Sequence, residues 1–151
     1  MTEFRALQID HVEVLVPDRH AAADWYERTL GLCVIQEYEH WATDPNGPLM
    51  ISSDGGNTKI ALFEGQPQAG QSVAGWQTVA FRTDSDGFME FIERLTDLQL
   101  TDRVGRSVTF DLVKDHQQSY SVYFCDPYGN ELEVTTYEYD STRQRLDEPR
   151  T

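Results

Sequence analysis

Apolar and polar residues alternate from Ile9 to Val16, with Val12, Val14 and Val16 at one parity and His11, Glu13 and Leu15 at the other. A period of two predicts a strand with one face on a core. Pro17-Asp18 stops the alternation. Asp18 is placed to cap a helix running to about Leu30, in which Ala22, Tyr26 and Leu30 fall at i, i+4 and i+8, and Gly31 is the expected C-cap. Three more strands are predicted at Cys33 to His40, Leu49 to Ser53 and Thr58 to Phe63, separated by the turn-forming runs Asp44-Pro45-Asn46-Gly47 and Asp54-Gly55-Gly56-Asn57.

The same order, strand then helix then three strands, begins again at Trp76 after a polar stretch of Gly, Gln, Pro and Ser. Val79 and Phe81 take the core parity of the opening strand. Ser85 or Asp86 is the predicted cap of a helix whose stripe is Phe88, Phe91, Ile92 and Leu95. Strands follow at about Val108 to Lys114, Tyr120 to Cys125 and Glu131 to Tyr137. The expected organisation is α+β: a first βαβββ module over residues 7–65, a connector at 66–75 and a second βαβββ module over 76–137. The two modules are expected to form one structural domain. The tail at 138–151 is charged and aperiodic, so it is expected to be mobile or to pack as a surface arm.

Composition narrows the partners. A net charge of −14 repels nucleic-acid phosphates and anionic headgroups, so no nucleic-acid partner is expected. Apolar runs are broken by charge well short of membrane-spanning length, and Met1 to Leu7 lacks the apolar core of a signal peptide, which reads as cytoplasmic. Cys33 and Cys125 form no CxxC pair and read as reduced structural thiols. Only Lys59 and Lys114 among 12 basic residues are lysine. An acid-rich, lysine-poor surface suits high salt, where screening relieves self-repulsion, and thermal stability should then rise between low and molar salt.

Strand parity puts His11 and Glu133 on the faces opposite their strands' core residues. Imidazole and carboxylate together suit Fe, Mn, Zn or Ni; the plainer alternative is that the two side chains hydrogen-bond each other. Two segments sharpen this reading. Ile9-Asp10-His11-Val12-Glu13-Val14, with Trp25-Tyr26 and Leu30-Gly31-Leu32 behind it, and Ser121-Val122-Tyr123-Phe124-Cys125-Asp126-Pro127-Tyr128-Gly129-Asn130-Glu131-Leu132-Glu133 resemble the first strand and helix and the last hairpin of the vicinal oxygen chelate superfamily. That superfamily groups glyoxalase I, fosfomycin and bleomycin resistance proteins, and extradiol dioxygenases. The resemblance implies a cleft between two modules, a divalent metal held by His11 and Glu133, a substrate offering two neighbouring oxygens, and often a homodimer.

The sequence departs from the family at two positions. Thr78 stands where the second ligand His is expected, and Ala61 where glyoxalase I families place a Glu. A threonine hydroxyl is a poor ligand beside imidazole or carboxylate, so the ligand set is incomplete and ordinary glyoxalase I chemistry is disfavoured. Glu13, on the face of His11, and Gln77 are the available substitutes, though Glu13 reads equally as a solvated wall residue. By resemblance to extradiol dioxygenase-like members, His116 would shuttle a proton and Tyr123 would hydrogen-bond a substrate oxygen. The alternatives are an exposed loop histidine and a packed aromatic. Glu13, Thr78, Trp76 and Trp41 are candidate substrate contacts, with His40 and Phe63 as further aromatic walls that favour a flat ligand. Two functions fit: a metal-dependent, extradiol dioxygenase-like enzyme (or a related lyase), and a metal-free protein of the bleomycin resistance type that sequesters an aromatic or cationic molecule.

Overall fold

A computed structural model describes residues 7–65 and 78–149. The chain divides into two compact units, Met1–Ser72 and Val73–Thr151. The predicted connector, Trp76 and Gln77 lie outside the described residues.

The first unit runs β1 (His11–Val16), α1 (Arg19–Leu30), β2 (Cys33–Val34), a 3-10 helix (Gln36–Thr43), β3 (Leu49–Ser52) and β4 (Lys59–Glu64). Its sheet has the order β1-β4-β3-β2, with β1 parallel to β4 and the other pairs antiparallel. Asp18 accepts from the amides of His20 and Ala21 at the start of α1, and Gly31 ends the helix in the left-handed region at φ 70°. Tyr26 and Ala22 of α1 are fully buried, as are Ile51 of β3 and Leu62 of β4. Each of the larger side chains contributes ~1.5–3 kcal/mol through the water it leaves.

The second unit repeats the plan: β5 (Thr78–Arg82), α2 (Ser85–Glu93), a single turn α3 (Leu95–Leu98), a short 3-10 turn (Phe110–Leu112), β6 (Lys114–Asp115), β7 (Tyr120–Cys125), β8 (Glu131–Thr136) and a closing helix α4 (Tyr139–Leu146). Its sheet order is β5-β8-β7-β6, again with the first and last strands parallel. Phe88, Phe124, Val122 and Leu132 are wholly buried, and Phe91 lies against Phe124 at 5.4 Å between ring centroids. The architecture is α+β, with two mixed four-stranded sheets carrying helices.

Three local expectations are corrected. The strand predicted from Cys33 to His40 stops at Val34: Cys33 pairs with Ser52 and Val34 with Ile51, and the Ile35 amide makes the last bond to β3, to Met50 O at 2.9 Å. The chain then coils into the 3-10 helix, whose i, i+3 spacing lays Tyr38 on Trp41 at 4.6 Å and 15°. The strand predicted from Val108 to Lys114 is mostly a turn, since Val108 is buried while Phe110 to Leu112 coil, leaving only Lys114–Asp115 paired. The cap of α2 is Asp84, which accepts from the Gly87 amide, rather than Ser85 or Asp86. The aperiodic tail forms α4 and docks through polar contacts. Glu138 Oε2 accepts from the Ser85 amide at 2.9 Å, buried Thr142 donates to Ser85 Oγ at 3.1 Å, and Arg145 pairs with Asp86 at 2.6 Å.

Candidate functional site

Three rungs cross the second sheet on the face that does not carry the apolar core. Register pairs Thr78 with Glu131 and Glu131 with Cys125, then Ala80 with Glu133 and Glu133 with Tyr123, then Arg82 with Thr135 and Thr135 with Ser121. The period of two that buries Leu132, Val134, Val122 and Phe124 necessarily sends these residues the other way.

On the middle rung, Tyr123 Oη lies 3.1 Å from His116 Nε2, and the two rings meet edge to face at 6.1 Å. Glu133, the register partner of Tyr123 on the neighbouring strand, acts on the same phenol by its charge. Burial first, and the Glu133 carboxylate second, push the Tyr123 phenol above its ordinary value, so it keeps its proton at neutral pH. His116 is exposed at the β6–β7 turn. An imidazole and a phenol in hydrogen-bond contact, with a carboxylate at the phenol's register partner and the imidazole open to solvent, can pass a proton to or from a bound hydroxyl.

The first rung is closed on itself. Thr78 Oγ1 donates to Glu131 Oε1 at 2.6 Å, and Arg103 Nε stands 3.5 Å from Glu131 Oε2. Thr78 therefore spends its hydroxyl proton on Glu131, and Glu131 spends much of its charge on Arg103. Glu131 organises this rung. Cys125 is buried and its thiol is pushed up, by burial first and by Glu131 next, which makes it a poor nucleophile.

In the first unit His11 and Glu13 are exposed on the face of β1 opposite Val14 and Val16. His11 Nδ1 sits 2.8 Å from Asp10 Oδ2, and Nε2 sits 3.9 Å from Glu13 Oε1. Lys59 Nζ donates to Asp10 at 2.8 Å and, ahead of His11, holds the Asp10 carboxyl below the usual range. Ala61 neighbours Glu13 across the strands and supplies no donor atom. Trp41 is exposed and stacks on Tyr38, with His40 edge-on at 5.9 Å.

The segment bearing Trp41 is anchored by Arg19, which is buried at the start of α1. Its guanidinium donates to the carbonyls of Gly47 and Ala42 at 2.5 Å and of Asp44 at 3.2 Å. Nothing in the sequence signals this role, because an arginine in the first helical turn ordinarily points to water.

The family match and the structural neighbours agree with this fold. Residues 8–134 match the model of the Glyoxalase/Bleomycin resistance protein/Dioxygenase superfamily. The chain belongs to that superfamily. No curated protein sequence matches it. Among solved structures, the oxidase ChaP-H2 is 23% identical with a TM-score of 0.63, covering 91% of this chain and 99% of its own. A glyoxalase/dioxygenase from Nostoc punctiforme is 18% identical with a TM-score of 0.64, covering 91% and 98%. The fosfomycin resistance protein FosX from Listeria monocytogenes, complexed with Mn(II) and sulfate, is 15% identical with a TM-score of 0.61, covering 93% and 98%. At these identities the likeness is one of fold.

The metal that the superfamily suggests does not fit the donor set. Among the described residues no three His, Cys, Asp or Glu side chains gather so as to hold an ion. Thr78 is committed to Glu131, and Ala61 is apolar. Among the described residues, no helix is long and apolar enough to cross a membrane.

Proposed function

We propose that this superfamily member is an enzyme that binds a small molecule with a weakly acidic hydroxyl, a phenol or vicinal diol, at the polar face of the second sheet, and moves a proton through His116, Tyr123 and Glu133. The observation that carries this reading is the 3.1 Å contact of His116 Nε2 with Tyr123 Oη beside Glu133. The substrate hydroxyl passes its proton to Tyr123 Oη as the Tyr123 proton passes to His116 Nε2, leaving a substrate oxyanion and an imidazolium; the reverse transfer restores both, and the negative Glu133 beside Tyr123 favours the positive charge. Thr78 acts through Glu131.

The test is binding and turnover of 4-nitrocatechol, whose absorbance reports its ionisation, together with a panel of simple phenols and diols. A spectral shift on binding that weakens at least about tenfold in Tyr123→Phe and His116→Ala is expected, since each loses one hydrogen bond to a charged or ionising partner. Binding indifferent to both substitutions, or none across the panel, refutes the assignment.

The second reading is a metal-free sequestering protein, favoured by Thr78, whose hydroxyl is given to Glu131 at a position where a ligand is expected. Stoichiometric binding without turnover would select it. A metal enzyme resting on His11 and Glu133 is tested by elemental analysis after reconstitution with Fe, Mn, Zn and Ni. Stoichiometric metal lost in His11→Ala and Glu133→Ala would establish it against both readings.

A further inference from the structure

The turn that presents His116 is tied to a part of the chain that the family match does not reach, for the match ends at residue 134 and α4 spans Tyr139–Leu146. The ties converge on Asp115, the residue before His116. Asp115 Oδ1 accepts from the Gln117 amide at 2.7 Å. Its Oδ2 accepts from the hydroxyls of Tyr139 at 2.9 Å and Tyr120 at 3.2 Å. The rings of Tyr120 and Tyr139 stack at 4.9 Å and 8°. Asp115 is accordingly held below the ordinary carboxylate value, by the Gln117 amide first and by the tyrosine hydroxyls and Arg143 after it.

The turn itself is tight. The His116 amide donates to Ser119 O at 2.9 Å, and Gln117 takes a left-handed conformation at φ 69°, which a non-glycine residue keeps only where its surroundings impose it. His116 is exposed, and the ring contact that sets its orientation is the one to Tyr123. Its placement therefore depends on the turn, and the turn depends on Asp115.

We propose that Tyr139 is a positioning residue of the candidate site, its hydroxyl acting through Asp115 to fix the β6–β7 turn so that His116 Nε2 stays against Tyr123 Oη. The helix α4 is then an extension that completes the site. The catalytic meaning of this placement rests on the proposed function, whereas the placement is measurable without any ligand.

The experiment follows the ring nitrogens of His116 by long-range ¹H–¹⁵N NMR in the full chain, with Tyr123→Phe as the reference for a broken His116–Tyr123 bond. In Tyr139→Phe, which keeps the stacked ring and loses only the hydroxyl, the Nε2 resonance should move most of the way to that reference. Asp115→Asn should do the same. The amide of Gln117 should exchange about tenfold faster in both, the equivalent of one hydrogen bond to a charged acceptor. Arg145→Ala, which removes the ion pair of α4 with Asp86 but leaves Tyr139 in place, should leave His116 at its wild-type position. Unmoved His116 nitrogens in folded Tyr139→Phe and Asp115→Asn overturn the proposal, as does a shift in Arg145→Ala equal to theirs. Failure of 4-nitrocatechol to bind would defeat the proposed function and leave this readout untouched.

Discussion

Replacing Arg19 by methionine tests how the first unit holds its exposed aromatic platform. The guanidinium makes three hydrogen bonds to backbone carbonyls, at 2.5 Å to Gly47 and Ala42 and 3.2 Å to Asp44, and Arg19 is only 7% exposed. A hydrogen bond involving a charged group is worth ~1.5–3 kcal/mol, which gives a gross loss of ~4–9 kcal/mol. Two effects reduce it. The guanidinium no longer has to be desolvated, a cost sharpened by its Nε, which is buried without a partner. The carbonyl of exposed Asp44 is also rehydrated once the arginine is gone. A net loss of about 3 kcal/mol remains, or a fall in Tm of about 10 °C, measured by circular dichroism with urea titration alongside. Arg19→Lys, with a charge but no fork, should recover less than half of it. Because the anchored carbonyls bracket the segment after Trp41, the methionine variant should also redden tryptophan emission before global unfolding as the Tyr38–Trp41 stack loosens. A variant whose Tm lies within about 1 °C of wild type would show that the carbonyls need no buried donor, and the reasoning fails.

Two further predictions concern turns and caps. Glu138→Gln weakens an anion at the N-terminus of α2 and should lower Tm by about 3 °C, for a cost of about 1 kcal/mol; an unchanged thermal scan would show that the carboxylate contributes nothing there. The Thr58 amide first, then the Thr58 and Ser52 hydroxyls, lower Asp54 to about 2 from 3.8, so its folded value lies below its unfolded one. The stability it lends the turn is complete above the unfolded value and lost as pH falls through about 2. The ¹³C titration of its carboxyl and exchange of the Thr58 amide should therefore hold steady down to pH ~3 and change below it, whereas a midpoint near 4 would contradict the hydrogen bonds.

Legibility followed the strength of the local signal. Parity alone separated Val14 and Val16 from His11 and Glu13, and Leu132 and Val134 from Glu131 and Glu133, because burial acts on every second residue of a strand. Asp18 and Gly31 marked both ends of α1, since cap chemistry is local. The 3-10 helix at Gln36–Thr43 was hidden because Tyr38 and Trp41 read as strand formers, whereas their i, i+3 spacing brings the rings together once the chain coils. The helix α4 was hidden because its docking is polar: Thr142, Glu138 and Arg145 meet Ser85 and Asp86, and no apolar stripe announces it. His116 and Tyr123 were named from family resemblance. Their 3.1 Å contact, and the tie of Asp115 to Tyr139, required the folded chain.

The parallel pairing of first and last strands also bears on how the protein is made. In each unit the fourth strand sits between the first and the third, so β1 cannot pair with β4, nor β5 with β8, until the end of that unit has left the ribosome. During synthesis each half waits with a vacant slot at the centre of its sheet, its opening strand unpaired and its apolar face open to any strand that arrives. Slow closure through such distant partners exposes the nascent chain to mispairing. Because both halves present the same vacancy, the strand most able to enter the wrong slot is the matching strand of the other half or of a neighbouring copy. Translation that pauses after β4 would give the first sheet time to close before β8, its nearest imitator, emerges.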